Sequence, residues 1–135
     1  MDLGKTLHIS AAGLKVQGTR LRTIAENLAN VASTAQEPGG DPYRRKVVTF
    51  ENVLDRELDV DLVRIRRVDV DRSDFELKYQ PGHPAADENG YIQMPNVNAL
   101  IEMADMREAQ RTYEANLKVI QASRTMVQQT IELLR

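Results

Sequence analysis

The chain has no cysteine and no tryptophan, and only two Phe and four Tyr among 135 residues. Without Cys there is no disulfide, no iron–sulfur cluster, no thiolate nucleophile and no Cys-type zinc site, and His8 and His83 alone are too few for a His-rich metal centre. With aromatics so scarce, Leu, Ile, Val, Met and Ala must fill the core. The lack of Cys leaves the compartment open, since it suits a reducing cytosol and equally an oxidising space in which thiols would mispair. Long apolar runs are missing too: none approaches the roughly eighteen residues of a membrane-spanning helix. Asp2, Lys5, Lys15, Arg20, Arg22 and Glu26 interrupt the apolar pattern near the N-terminus, so a cleaved signal peptide and direct membrane insertion are both poor readings.

What is present is a balance of charge, 18 Lys and Arg against 20 Asp and Glu, distributed unevenly. Residues 1–31 carry +2, residues 32–96 carry −4 and residues 97–135 are neutral. The middle part holds all five Pro and four of the seven Gly, which marks loops and short strands. This predicts an α+β chain, mainly α, with terminal helical segments 1–31 and 97–135 and a loop and small β region over 32–96.

In the first segment Leu7, Leu14, Leu21 and Leu28 recur every seven residues, with Ala11, Gly18 and Ala25 interleaved. That is an a/d seam of large and very small residues, on which a partner backbone can approach closely. Gly13 and Gly18 each cost about 1 kcal/mol in helix propensity, so the helix depends on packing. The last segment repeats the pattern with Ala99, Met106, Tyr113, Ile120, Val127 and Leu134, interleaved by Met103, Gln110, Leu117, Arg124 and Ile131. Gln110 and Arg124 are polar seam positions of the kind that set register or partner number. Glu102, Asp105, Glu108 and Glu114 stand among Arg107, Arg111 and Lys118, and the spacings Glu108–Arg111, Arg111–Glu114 and Glu114–Lys118 permit i,i+3 and i,i+4 pairs along the helix surface. The periodicity predicts a helix from about Val97 to the end and an antiparallel, coiled-coil-like pair with the first. Helices of these lengths would run to about 40–60 Å, against a radius of gyration near 14 Å for a compact chain of this size. The expectation is an elongated molecule.

Between the helices, residues 32–41 read as a loop and Lys46–Phe50 as a strand. Val60–Val70 alternates but slips phase between Leu62 and Val63, which predicts a bulge or bend. Phe75, Leu77 and Tyr79 alternate ahead of a Gln80-Pro81-Gly82 turn, and Tyr91–Met94 reads as a last strand.

No catalytic constellation emerges. His8 and His83 have no Ser or Asp partner at a diagnostic spacing. Asp87-Glu88-Asn89-Gly90 fails as a calcium loop because Ala85 and Asn96 occupy the end positions that need carboxylates, and a turn explains it better. Gly39-Gly40 precedes no Gly-Lys-Ser/Thr, so there is no phosphate loop. The clusters Arg44-Arg45-Lys46 and Arg64-Arg66-Arg67 lie in an acidic segment with almost no stacking aromatics, which disfavours nucleic acid and favours solvated or inter-subunit ion pairs. A coiled-coil dimeric nucleic-acid-binding regulator is the alternative reading, and no catalytic, cofactor or metal residue is expected.

The run Glu26-Asn27-Leu28-Ala29-Asn30-Val31, placed after a Leu-heptad helix, resembles the N-terminal motif of the bacterial flagellar axial proteins, the rod, hook and hook-associated subunits. Further pieces are Gly40-Asp41-Pro42-Tyr43-Arg44-Arg45-Lys46-Val47, Pro81-Gly82-His83-Pro84 with Asn89-Gly90-Tyr91, Pro95-Asn96-Val97-Asn98 ahead of Glu102-Met103-Ala104-Asp105-Met106, and Tyr113-Glu114-Ala115-Asn116-Leu117. Their order over essentially the whole chain is similar to that of proximal-rod subunits. The extended Gly-rich loop between Thr34 and Tyr43 departs from the wider family and is typical of that group.

The resemblance implies a structural, non-enzymatic rod subunit exported without signal cleavage by the flagellar type III apparatus and assembled in the periplasm. Implied partners are copies of itself, other rod proteins and a membrane-ring adaptor, with no nucleic acid. The family-motif residues are Asn27, Ala29, Asn30, Pro42, Tyr43, Arg44, Arg45, Pro95, Asn96 and Val97. The expected subunit-interface seam is Leu7, Ala11, Leu14, Gly18, Leu21, Ala25 and Leu28 with Met106, Tyr113, Leu117, Ile120, Val127, Ile131 and Leu134.

Overall fold

The computed structural model describes residues 2–135. Its elements are α1 (Leu3–Ala29), β1 (Lys46–Asp55), β2 (Val60–Val70), β3 (Glu76–Tyr79), β4 (Tyr91–Met94) and α2 (Ala99–Leu133). The architecture is α+β, with a long helix toward each end of the chain and two small β-hairpins between them, as the periodicity predicts.

Local chemistry explains where the helices begin. Asp2 Oδ1 accepts the N–H groups of Gly4 at 2.9 Å and Lys5 at 3.2 Å, the N-cap role that shields otherwise orphaned donors. Asn98 does the same for Leu100 at 3.0 Å and Ile101 at 3.3 Å, which is why α2 starts at Ala99 rather than at Val97. After α1 ends, the Asn30 amide donates back to the Glu26 carbonyl at 2.8 Å.

β1 and β2 pair across the four residues Arg56–Asp59, a connection short enough only for antiparallel strands. Asp55 Oδ1 accepts from the Glu57 and Leu58 N–H groups, and Asp59 takes a left-handed φ of 50° to complete the turn. Along β2 the half-buried positions run Val60, Leu62, then Val63 and Ile65, so the burial phase changes where the sequence slips, inside an unbroken strand. β3 and β4 pair antiparallel, with Glu76 opposite Met94 and Tyr79 opposite Tyr91. Those two rings meet edge to face with centroids 5.3 Å apart. Gly90 closes the intervening loop at φ 81°, where a Cβ would lie 2.9 Å from the Tyr79 ring.

The chain divides into two compact units. The first comprises the chain up to Leu21, Val48–Arg67 and Arg107–Arg135; the second comprises Arg22–Val47 and Val68–Met106.

In the first unit α1 and α2 run antiparallel. Gly13 sits against the Asn116 amide, 2.8 Å from where a Cβ would be, and Arg20 pairs with Glu108 at 3.6 Å. Ser10, Val16, Ala109 and Ser123 are its buried residues. In the second unit Asn27 of α1 donates to Glu102 of α2 at 3.2 Å. Ile24, Ala85 and Ile92 are buried there with Thr23, Asn27 and Glu102.

The packed rows are therefore Gly13, Arg20 and Asn27 on α1 and Glu102, Ala109, Asn116 and Ser123 on α2. Each is offset by one residue from an expected seam row, that is, by about 100° around the helix. Small and polar side chains occupy the closest approach, with Leu on its flanks. Gly13 is the glycine that admits a neighbour, whereas a Cβ on Gly18 would meet nothing within 4 Å. Glu102 and Glu108 likewise pair with Arg45 and Arg20 rather than with bases on their own helix.

Candidate functional site

The most constrained site lies in the second unit and is built around Asn27, 1 % exposed, on the last turns of α1. Its side-chain amide substitutes for a peptide group: Oδ1 accepts the Lys46 N–H at 2.9 Å and Nδ2 donates to the Lys46 carbonyl at 2.9 Å. The second lone pair of Oδ1 accepts the Tyr43 hydroxyl at 2.9 Å, and the second Nδ2 hydrogen goes to Glu102 Oε2 at 3.2 Å. All four bonding positions of the amide are filled. In this way α1 is joined to the start of β1 as though by an additional strand.

Glu102 is equally buried, and its other oxygen accepts from Arg45 Nε. Arg45 reaches further carboxylates, Asp71 at 3.5 Å and Asp105 at 3.9 Å. Its backbone N–H donates to Asn96 Oδ1 at 2.8 Å, while Asn96 Nδ2 donates to the Asp71 carbonyl at 3.0 Å and to Ser73 Oγ at 3.0 Å. Arg44 donates to the Asp71 and Ser73 carbonyls, each at 3.2 Å, and stacks 4.1 Å above the Phe75 ring. Lys46 Nζ donates to Glu26 Oε1. Thus α1, the 30–45 loop, the 71–75 segment and the start of α2 are tied together by one polar clasp.

Electrostatics follow from these contacts. Burial works against the Arg45 charge, but the hydrogen bond and charge of Glu102, then Asp71, outweigh it and hold the guanidinium pKa above its ordinary value. The Glu26 hydrogen bond raises that of Lys46. Burial, reinforced by the Glu26 charge, raises that of the Tyr43 hydroxyl. Hydrogen bonds from Ser73, with help from Arg45, lower that of Asp71.

A second tie closes the same unit. The Ala85 N–H donates to His83 Nδ1 at 3.0 Å, so that nitrogen carries no proton and Nε2–H donates to Thr34 Oγ1 at 3.1 Å. The Tyr43 N–H donates to the Ser33 carbonyl at 2.9 Å, which shuts the Gly-rich loop upon itself.

Of the sequence-selected motif residues, Asn27, Tyr43, Arg44, Arg45 and Asn96 meet in the clasp. Asn30 ends α1, Pro42 and Pro95 are buried, Val97 is half-buried and Ala29 is exposed. Glu26, Lys46, Asp71 and Glu102 complete the site, and sequence reasoning had not joined them to it. The spacing of Glu102 along α2 does not reveal Arg45 as its partner. The basic run Arg44-Arg45-Lys46, expected to be solvated or between subunits, is engaged within the chain.

None of the expected seam residues is buried in the chain. Leu7, Leu14, Gly18, Leu21, Leu28, Met106, Tyr113 and Ile120 are half-buried. Ala11, Ala25, Leu117, Val127, Ile131 and Leu134 are exposed, Leu134 to 83 %. Among the described residues there is no group of three or more His, Asp or Glu able to hold a metal, and no helix long and apolar enough to cross a membrane.

Residues 88–133 match the family model described as flagellar basal body rod FlgEFG protein C-terminal, which makes the class that of the structural flagellar axial proteins. Three curated relatives bear the name flagellar basal-body rod protein FlgC. That of Agrobacterium fabrum is 57 % identical over 127 residues, covering 94 % of this chain and 91 % of its own. The Aquifex aeolicus relative is 40 % identical, covering 98 % and 97 %, and the Borreliella burgdorferi one 35 %, covering 100 % and 99 %. The chain belongs to the FlgC family: it is a structural subunit of the flagellar basal-body rod and not an enzyme. The nucleic-acid-binding alternative finds no support in these relatives.

Proposed function

We propose that this chain polymerises with copies of itself and with other rod proteins into the periplasmic drive shaft that carries torque through the flagellar basal body. The observation that carries the reading is identity to a rod protein along nearly the whole chain. Contacts between subunits that do not close on themselves generate helical rods. Terminal helical segments 1–31 and 97–135 supply the subunit interface through Leu7, Ala11, Leu14, Gly18, Leu21, Ala25, Leu28 and the facing α2 row, while residues 32–96 make outer contacts. The exposure of Val127, Ile131 and Leu134 supports this, since such a face gains apolar burial only from another molecule. Export by the type III apparatus without signal cleavage and docking on a membrane-ring adaptor complete the proposal.

Fractionation tests it directly: the chain should copurify with hook–basal bodies, and recovery only in the soluble cytosol would defeat the reading. Gly18→Leu and Ala25→Leu should each block incorporation, and normal motility in both variants would remove these positions from the interface.

A further inference from the structure

In the first unit a groove of about 380 Å³ opens between α1 and β2, lined by Ala12, Val16, Leu62, Val63 and Ile65. Lys15 and Arg64 also line it, and both residues are exposed. Neither forms an ion pair within the chain among the described residues. An apolar trough edged only by cations fits an apolar segment flanked by carboxylates.

The same unit carries such a segment at the tip of the β1–β2 hairpin. Asp55, Glu57, Asp59 and Asp61 stand there with a single base, Arg56, around Leu54 and Leu58. Leu54 is 54 % exposed. The tip cannot reach the groove of its own chain: Asp59 and Arg64 are about 16 Å apart along one continuous strand at ~3.3 Å per residue, and an extended strand does not fold back on itself.

We infer that the acidic hairpin tip of one copy docks in the Lys15–Arg64 groove of a second copy. The inference rests on the rod reading above and adds to it a surface on α1 and β2 that borders the Ala11–Gly18 row. Complementary charge would set the register of the contact and make it sensitive to salt.

Because the chain has no Cys, a disulfide between engineered positions reports proximity without background. Lys15→Cys and Glu57→Cys, placed in separately tagged full-length copies within one cell, should cross-link in purified basal bodies. With purified full-length chain, K15E/R64E should weaken self-association in sedimentation by about tenfold or more, since two exposed attractions become repulsions. Adding E57K/D61K to the same chain should restore it to within about threefold. Far-UV circular dichroism of each variant checks that the fold is retained.

Cross-linking together with charge-swap rescue supports the inference. Failure to cross-link in basal bodies that contain both variants overturns it and leaves the rod reading intact. Cross-linking of Lys15→Cys only to a different rod protein overturns it in favour of a hetero-contact. Absence of the unmodified chain from basal bodies overturns the rod reading, and this inference with it.

Discussion

The two units differ in the size and pairing of the polar groups they bury. The largest of the fully buried side chains, Ile92, Glu102 and Asn27, lie in the second, which satisfies every hydrogen-bonding position of Asn27 from within. The first buries Ser10, Val16, Ala109 and Ser123, which are small, and leaves Gln17 Oε1 buried with no hydrogen-bond partner among the described residues. Both units turn apolar side chains outward, the first at Leu117, Met126, Val127, Ile131 and Leu134 and the second at Leu77, Leu100, Ile101 and Met103. A region whose polar groups are satisfied internally can hold its form alone. Apolar area left exposed in either unit gains burial only on association.

The largest expected effect strikes the second unit. Arg45→Ala would leave the Glu102 carboxylate buried without its cation and should cost about 3 kcal/mol, read from urea unfolding of the isolated chain. A cost no greater than that of an exposed ion pair would mean that the clasp does not distinguish the units. Asn27→Ala should follow at about 2 kcal/mol, because the Lys46 peptide and the Tyr43 hydroxyl lose their partners together. Hydrogen exchange should then show faster amides in the 43–47 segment, with the 107–123 stretch of α2 unchanged.

In the first unit, substitution of glycines sharpens the contrast. Gly18→Ala meets open space and should stabilise the isolated helix by about 1 kcal/mol. Gly13→Ala drives a methyl against Asn116, so the same gain in propensity is offset and thermal unfolding should barely move. Equal gains at both positions would contradict the packing register.

The smallest effect is a pH dependence confined to the clasp. The Asp71 pKa is lowered in the folded chain, so its contribution is present above the ordinary carboxylate value and is lost as pH falls through the depressed one. Asp71→Asn should remove this acid limb. The Tyr43 and Lys46 pKa values are raised, so their contributions are complete below the ordinary values and are lost as pH rises through the higher ones. Tyr43→Phe should leave the Lys46 part of the alkaline limb.

Much of the clasp was legible as a set of residue types without being legible as a site. Asn27, Tyr43, Arg45 and Asn96 stood out through the family motif. Asp71 did not, and Glu102, although within a motif run, gave no sign of its partner, because it joins Asn27 across 75 residues and no local spacing encodes such a meeting. The Leu heptads correctly marked two helices, yet their period could not decide which face turned inward. At Gly13 and Ala109 the close approach of the backbones favoured small side chains over Leu.

The sequence by itself determined the kind and order of the elements, because apolar period, Pro and Gly placement and the caps at Asp2 and Asn98 act within a few residues of chain. Tertiary structure alone decided the one-residue offset of the helix pair and the partners of Arg45 and Asn27. Rotating a helix by about 100° changes every partner without changing its own hydrogen bonds. Only the opposing surface can choose between such rotations.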